Sequence, residues 1–197
     1  MTLIKRYSLV VYFIGAYAIA WGGILFVASQ KGFDPRAIEL SDGVVMFLFM
    51  TLGPSLSSLV LTALLNGKEG LRELFSRMGK WRVGLNWYAH ILTIPIVSLS
   101  IFLVLSALVS KAYAPNMNIG FGIVIGALAG FLEEIGWTGF ALPRLQSKYS
   151  IFVSGFILGL LWATWHIMAD FWGNFANFGT HWFPTFIIYW IIPLTAY

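Results

Sequence analysis

The sequence has no cysteine, which excludes a disulfide framework, a thiolate nucleophile and a zinc–thiolate site. Charge is also scarce. Only 10% of the 197 residues are Asp, Glu, Lys or Arg and 59% are apolar, whereas soluble domains carry roughly 25% charged residues. Such a chain reads as a polytopic membrane protein rather than as one or two water-soluble domains. A basic face for nucleic acid is lacking as well: the net charge is +4, but the twelve Lys and Arg residues lie between apolar runs, so no nucleic-acid partner is expected. A cleavable signal is not recognisable either. Lys5 and Arg6 precede an uncharged run too long for a signal core and without a small-residue cleavage pattern. With no repeat or low-complexity tract, residues 1–197 are expected to form a single membrane domain in contact with lipid.

What is abundant is long apolar sequence. Spanning a hydrocarbon core takes about 20 helical residues, and residues 7–28, 43–65, 87–109, 120–142 and 151–171 qualify. A sixth run, 183–197, has only 15 residues, about 22 Å of helix, so further C-terminal helices are expected beyond it. The fold class is therefore all-α: a polytopic transmembrane helical bundle with five full spans and a truncated sixth. Lys5, Arg6, Lys68, Arg72, Arg77, Lys80, Arg82, Arg144 and Lys148 fall on one side, and Lys31, Arg36 and Lys111 on the other. This asymmetry places the N terminus in the cytoplasm. Between the second and third runs, Leu71, Leu74, Phe75 and Met78 recur at helical spacing among charges, which predicts a short amphipathic surface helix. Pro54 and Pro95 fall within spans, His90 at interfacial depth and His181 in a loop; none carries chemistry.

Against this apolar background stand two adjacent carboxylates, Glu133 and Glu134, in the fourth run. An ionisable group in the bilayer core costs about 2.5–3.5 kcal/mol on insertion scales and marks function by default. Gly122, Gly126 and Gly130 lead up to the pair, and Gly155, Gly159 and Ala163 lead up to His166 in the fifth run. Small residues at intervals of four let membrane helices approach closely. The fourth and fifth helices are therefore expected to pack on these stripes and bring Glu133, Glu134 and His166 together, although counting from the intervening turn leaves about 7 Å between their depths. Desolvation and mutual repulsion oppose ionising both glutamates at once. One could activate a water while its neighbour or His166 handles a proton. On residue chemistry alone, polar glue between helices and an ion- or proton-transport site compete with this hydrolytic reading. Asp170, four residues after His166, could orient the imidazole from the same helix face but reads first as a solvated helix terminus, and Trp162 and Trp165 read as packing and pocket walls.

The stretch EEIGWTGFALPRLQ (residues 133–146), followed by GLLWATWHIMADF (159–171), resembles the first two motifs of the CAAX-protease and bacteriocin-processing (CPBP, or Abi) family of intramembrane proteases. Residues 53–88 are similar to that family's second helix and basic linker. The resemblance implies an intramembrane endopeptidase that hydrolyses a peptide bond of a membrane-associated or lipidated protein or peptide, in a bacterial cell membrane. In it Glu133 activates the water, His166 positions or polarises it, Glu134 completes the catalytic set, and Trp137, Thr138 and Trp162 support the pocket. The alternatives are a non-catalytic relative that binds a peptide or partner as an immunity protein, and an ion-coupled transporter. The resemblance leaves open whether a divalent ion or any other cofactor takes part.

Two departures stand out. The arginine that the first motif carries four positions after its second glutamate is Thr138 here, which removes a fixed cation beside the carboxylates. The family's later motif, a histidine followed four positions on by asparagine, is expected in a helix downstream of Tyr197.

Overall fold

The computed structural model describes residues 2–115, 119–178 and 182–196, with the side chains of residues 2, 90, 91, 94, 112, 119, 121, 174–178 and 196 excepted. His181 and the side chain of His90 lie outside the described set. Among the described residues ten α-helices follow one another: α1 (Thr2–Arg6), α2 (Ser8–Gln30), α3 (Leu40–Met78), α4 (Leu85–Leu108), α5 (Ile119–Gly136), α6 (Leu142–Gln146), α7 (Ile151–Trp165), α8 (Ile167–Phe178), α9 (Trp182–Phe186) and α10 (Ile192–Ala196). Among the described residues there is no strand. Four stretches among the described residues are long and apolar enough to cross a membrane: Ser8–Gln30, Leu40–Met78, Gly122–Gln146 and Ile151–Gly173. The third expected span is the 24-residue α4, of which Pro95–Leu108 is the fully described apolar part; the sixth run supplies a second short apolar stretch, Trp182–Thr195. Leu56, Val60 and Leu64 on α3 and Leu103 and Val104 on α4 stay about half exposed, as a lipid-facing surface requires. The all-α polytopic bundle expected from composition is the architecture found.

The close helix pair is α2 with α3. Tyr12, Ala16, Ala20, Ile24 and Ala28 recur every fourth residue along α2 and are fully buried. The small side chains of Ala16 and Ala20 let α3 approach until a Cβ on Gly53 would lie 2.6 Å from the Ala16 carbonyl oxygen. This is small-residue packing of the kind expected at the glycine stripes, on different helices. At Gly122, Gly126, Gly130 and Gly155 an added Cβ would meet nothing within 4 Å. The expected packing of the fourth span on the fifth along these stripes is therefore corrected: α5 lies on α3. The Ser58 hydroxyl donates to the Ile135 carbonyl at 2.9 Å, Ser55 donates to the Leu132 carbonyl, and Gly136 sits against Tyr12 and Pro54. Serine hydroxyls satisfy backbone acceptors across this interface, where no water competes. Of the second stripe, Gly159 is a contact point, but for the C-terminal segment: an added Cβ would be 2.0 Å from the Leu194 carbonyl oxygen.

Three irregularities in the long helices fix the site. Gly67 breaks α3 at φ 61° and ψ −153°, a conformation that favours glycine. Beyond it runs the expected amphipathic segment, with Leu74 buried and Phe75 exposed. A π turn, Trp137–Ala141, follows α5 directly. His166 separates α7 from α8.

Gly136→Ala must displace backbone as well as side chain, because its Cβ would fall 2.6 Å from the Pro54 carbonyl oxygen. It is expected to cost about 1–3 kcal/mol of stability, whereas Gly130→Ala stays within about 0.5 kcal/mol of the parent. Thermal unfolding of the two variants in the same detergent distinguishes this packing from the stripe packing, which reverses the order.

Candidate active site

Glu133 and Glu134 occupy the last turn of α5. Adjacent helical residues project about 100° apart, and here the two carboxylates line different cavities. Glu133 faces a cavity of about 320 Å³ that it shares with His166, Asp170 and Trp190, walled by apolar side chains such as Met46 and Met50. Ile38 and Gly43 also line it, so it sits at the end of α3 that follows the 31–39 loop. Glu134 lines a second cavity of about 370 Å³ with Thr138, Arg77 and Met78, at the opposite end of α3. The expectation that both glutamates meet His166 is corrected accordingly: Glu133 does, and Glu134 does not.

Trp162 joins Glu133 to His166. Its indole Nε1–H donates to Glu133 Oε2 at 2.9 Å, and its carbonyl oxygen lies 2.9 Å from His166 Nδ1. Because a carbonyl only accepts, Nδ1 carries a proton, and in the neutral ring Nε2 holds the lone pair. One residue thus orients the carboxylate through its side chain and the imidazole through its backbone. The four-residue spacing from aromatic to histidine has this physical content: it sets the Trp162 carbonyl one helical turn before the ring that bonds it. The 7 Å depth mismatch disappears because Glu133 engages Trp162, a turn nearer the α6–α7 connection than His166.

Trp137 and Trp162 do not line the cavity; they back the carboxylate. The two rings stack at 5.6 Å and 21°. Trp137, fully buried, meets Tyr12 edge-on at 5.8 Å and Trp165 at 5.5 Å. Tyr17 and Trp21 then tie α2 to α7: the Tyr17 hydroxyl donates to the Leu161 carbonyl at 2.6 Å and Trp21 Nε1 to the Trp165 carbonyl at 2.9 Å. Thr138 belongs to the other cavity, where its hydroxyl donates to the Glu134 carboxylate. On the rim of that cavity Arg77 donates to the Gly139 carbonyl at 3.1 Å.

Two further residues stand near His166. Asp170 is only 7% exposed, so the solvated-terminus reading is corrected; its Oδ1 accepts from Trp190 Nε1 at 3.0 Å. Trp190 lies in a second π turn, Ile187–Ile191, and stacks on the His166 ring with centroids 3.6 Å apart and planes 18° from parallel. The i, i+4 spacing of Asp170 from His166 was a usable signal; Trp190 left none, because its contact depends on how the chain returns. Among the described residues no three His, Asp or Glu side chains gather as a metal-ligand set.

Residues 115–197 match a family model described as type II CAAX prenyl endopeptidase Rce1-like, a region that holds Glu133, Glu134, His166 and Trp190. The chain is also similar to CAAX prenyl protease 2 of Methanococcus maripaludis, at 24% identity over an alignment of 186 positions that covers 86% of this chain. It spans 65% of the length of that relative. No solved structure matches.

Removing the Trp162 N–H leaves a buried carboxylate short of a donor. Trp162→Phe is therefore expected to lower stability by about 1.5–3 kcal/mol more than Trp172→Phe, whose buried indole N–H makes no hydrogen bond among the described residues. Parallel denaturation curves measure the difference; equal losses would mean that the Trp162–Glu133 bond contributes nothing.

Proposed function

We propose, from the premise that this integral membrane chain is related to the CAAX-protease (CPBP) family, that it is an intramembrane endopeptidase acting on a prenylated or otherwise membrane-anchored peptide. The observation that carries this reading is the placement of Glu133 and His166 at one cavity, both held by Trp162. A water bound between them loses a proton to the Glu133 carboxylate as its oxygen attacks the scissile carbonyl. His166, with Nδ1 bonded to the Trp162 carbonyl, presents Nε2 to orient that water. Collapse of the tetrahedral intermediate breaks the C–N bond, and the proton stored on Glu133 passes to the leaving amine. The apolar walls around the two groups exclude bulk water and strengthen each electrostatic contact.

Glu134 has a different part in this account. Facing away from His166, it positions the end of α5 and the π turn through Thr138, and does not touch the reacting atoms. Residues 1–197 form a single domain that carries the water-activating groups. The nine-to-three distribution of basic residues supports a cytoplasmic N terminus.

The test is cleavage of a prenylated peptide ending in a CAAX sequence by the purified protein in lipid nanodiscs, read by mass spectrometry. Glu133→Gln and His166→Ala are each expected to lower kcat by roughly 10²–10⁴-fold, and Glu134→Gln by about tenfold or less. Cleavage that persists in Glu133→Gln contradicts the reading. Substrate retained with no cleavage by the parent protein favours a peptide-binding role.

A further inference from the structure

We propose that Trp190 is a positioning residue for His166, anchored by Asp170, so that the C-terminal segment is a structural part of the site; this deepens the endopeptidase reading and rests on it for its effect on turnover. The hydrogen bond from Nδ1 to the Trp162 carbonyl fixes one point of the imidazole and leaves the ring free to swing about that point. Trp165 meets it edge-on at 4.8 Å and 84°, which limits one direction. The near-parallel Trp190 ring at 3.6 Å covers a face and sets the ring plane, and with it the direction of Nε2.

Trp190 is itself located by two independent contacts. Its indole N–H donates to Asp170 Oδ1 at 3.0 Å, and Asp170 lies one turn beyond His166, its amide bonded to the His166 carbonyl at 2.8 Å. The clamp therefore closes on the same apolar stretch, Ile151–Gly173, that carries the histidine. The second contact is remote: the Leu194 carbonyl sits against Gly159 so closely that any Cβ there would lie 2.0 Å from the oxygen. Gly159 is thus the seat on α7 that lets the segment bearing Trp190 reach the imidazole.

The experiment uses the protein in nanodiscs with 5-fluorotryptophan in place of tryptophan. Loss of one ¹⁹F resonance in Trp190→Phe identifies Trp190. His166→Ala, Asp170→Leu and the remote Gly159→Ala are each expected to move that resonance by more than its linewidth. If all three leave it in place, the clamp does not exist. This arm needs no activity, so it decides the clamp even where no peptide is cleaved and the endopeptidase reading fails. In the turnover arm, Trp190→Leu is expected to lower kcat by roughly 10- to 100-fold with KM little changed, and Trp190→Phe, which keeps a ring on the imidazole, to recover most of that loss. A Trp190→Leu variant with parental kcat, or one altered in KM alone, overturns the positioning role.

Discussion

A carboxylate held inside an apolar bundle must be given donors or it will not stay there. At Glu133 one such donor is the Trp162 indole, and the organisation of the site depends on that bond. The bond fixes the approach of α5 to α7 at a single height, where the Trp162 carbonyl is already engaged by His166. The carboxylate and the imidazole are thus indexed to the same residue, and neither depends on a flexible loop for its place. Behind them Trp137, Tyr12 and Trp165 form a fully buried aromatic wall. It leaves the polar edges of Glu133 and His166 facing the cavity they share with Asp170.

The scaffold that makes this possible is the α2–α3 pair. The alanines of α2 and Gly53 of α3 bring these helices close enough for both to act as one rigid platform. The platform receives α5 through the hydroxyls of Ser55 and Ser58 and α7 through Tyr17 and Trp21. In a membrane, where apolar burial does not drive helices together, association rests on close packing and interhelical hydrogen bonds of this kind. Each of these polar side chains sits at a point where two helices must be registered.

Much of this was legible in the sequence because it is local. Length and apolarity define spanning helices, the motif spacing puts Trp162 and His166 one turn apart, and Leu71, Leu74, Phe75 and Met78 mark the amphipathic segment after Gly67. What was not legible is pairing. The stripe Gly122, Gly126 and Gly130 has the right period for a helix contact, but period does not name a partner, and Ala16 and Ala20 had the same signal with a real one. Helical geometry turns neighbouring side chains about 100° apart, but which cavity each of Glu133 and Glu134 lines depends on the helices packed around α5. Trp190 was out of reach, since its stack on His166 is a consequence of how the last segment returns over Gly159. Asp170 was misplaced for the same reason: its burial is supplied by that returning segment.

The central claim is that Glu133 and Glu134 serve cavities at opposite ends of α3, and the absence of cysteine makes it directly measurable. Single cysteines at Glu133, Glu134, Ile38 and Met78, placed one at a time, can be labelled with a membrane-impermeant maleimide from either side of oriented vesicles. The account predicts that Glu133→Cys reacts from the same side as Ile38→Cys, and Glu134→Cys from the same side as Met78→Cys. Labelling of both glutamate positions from one side would contradict it.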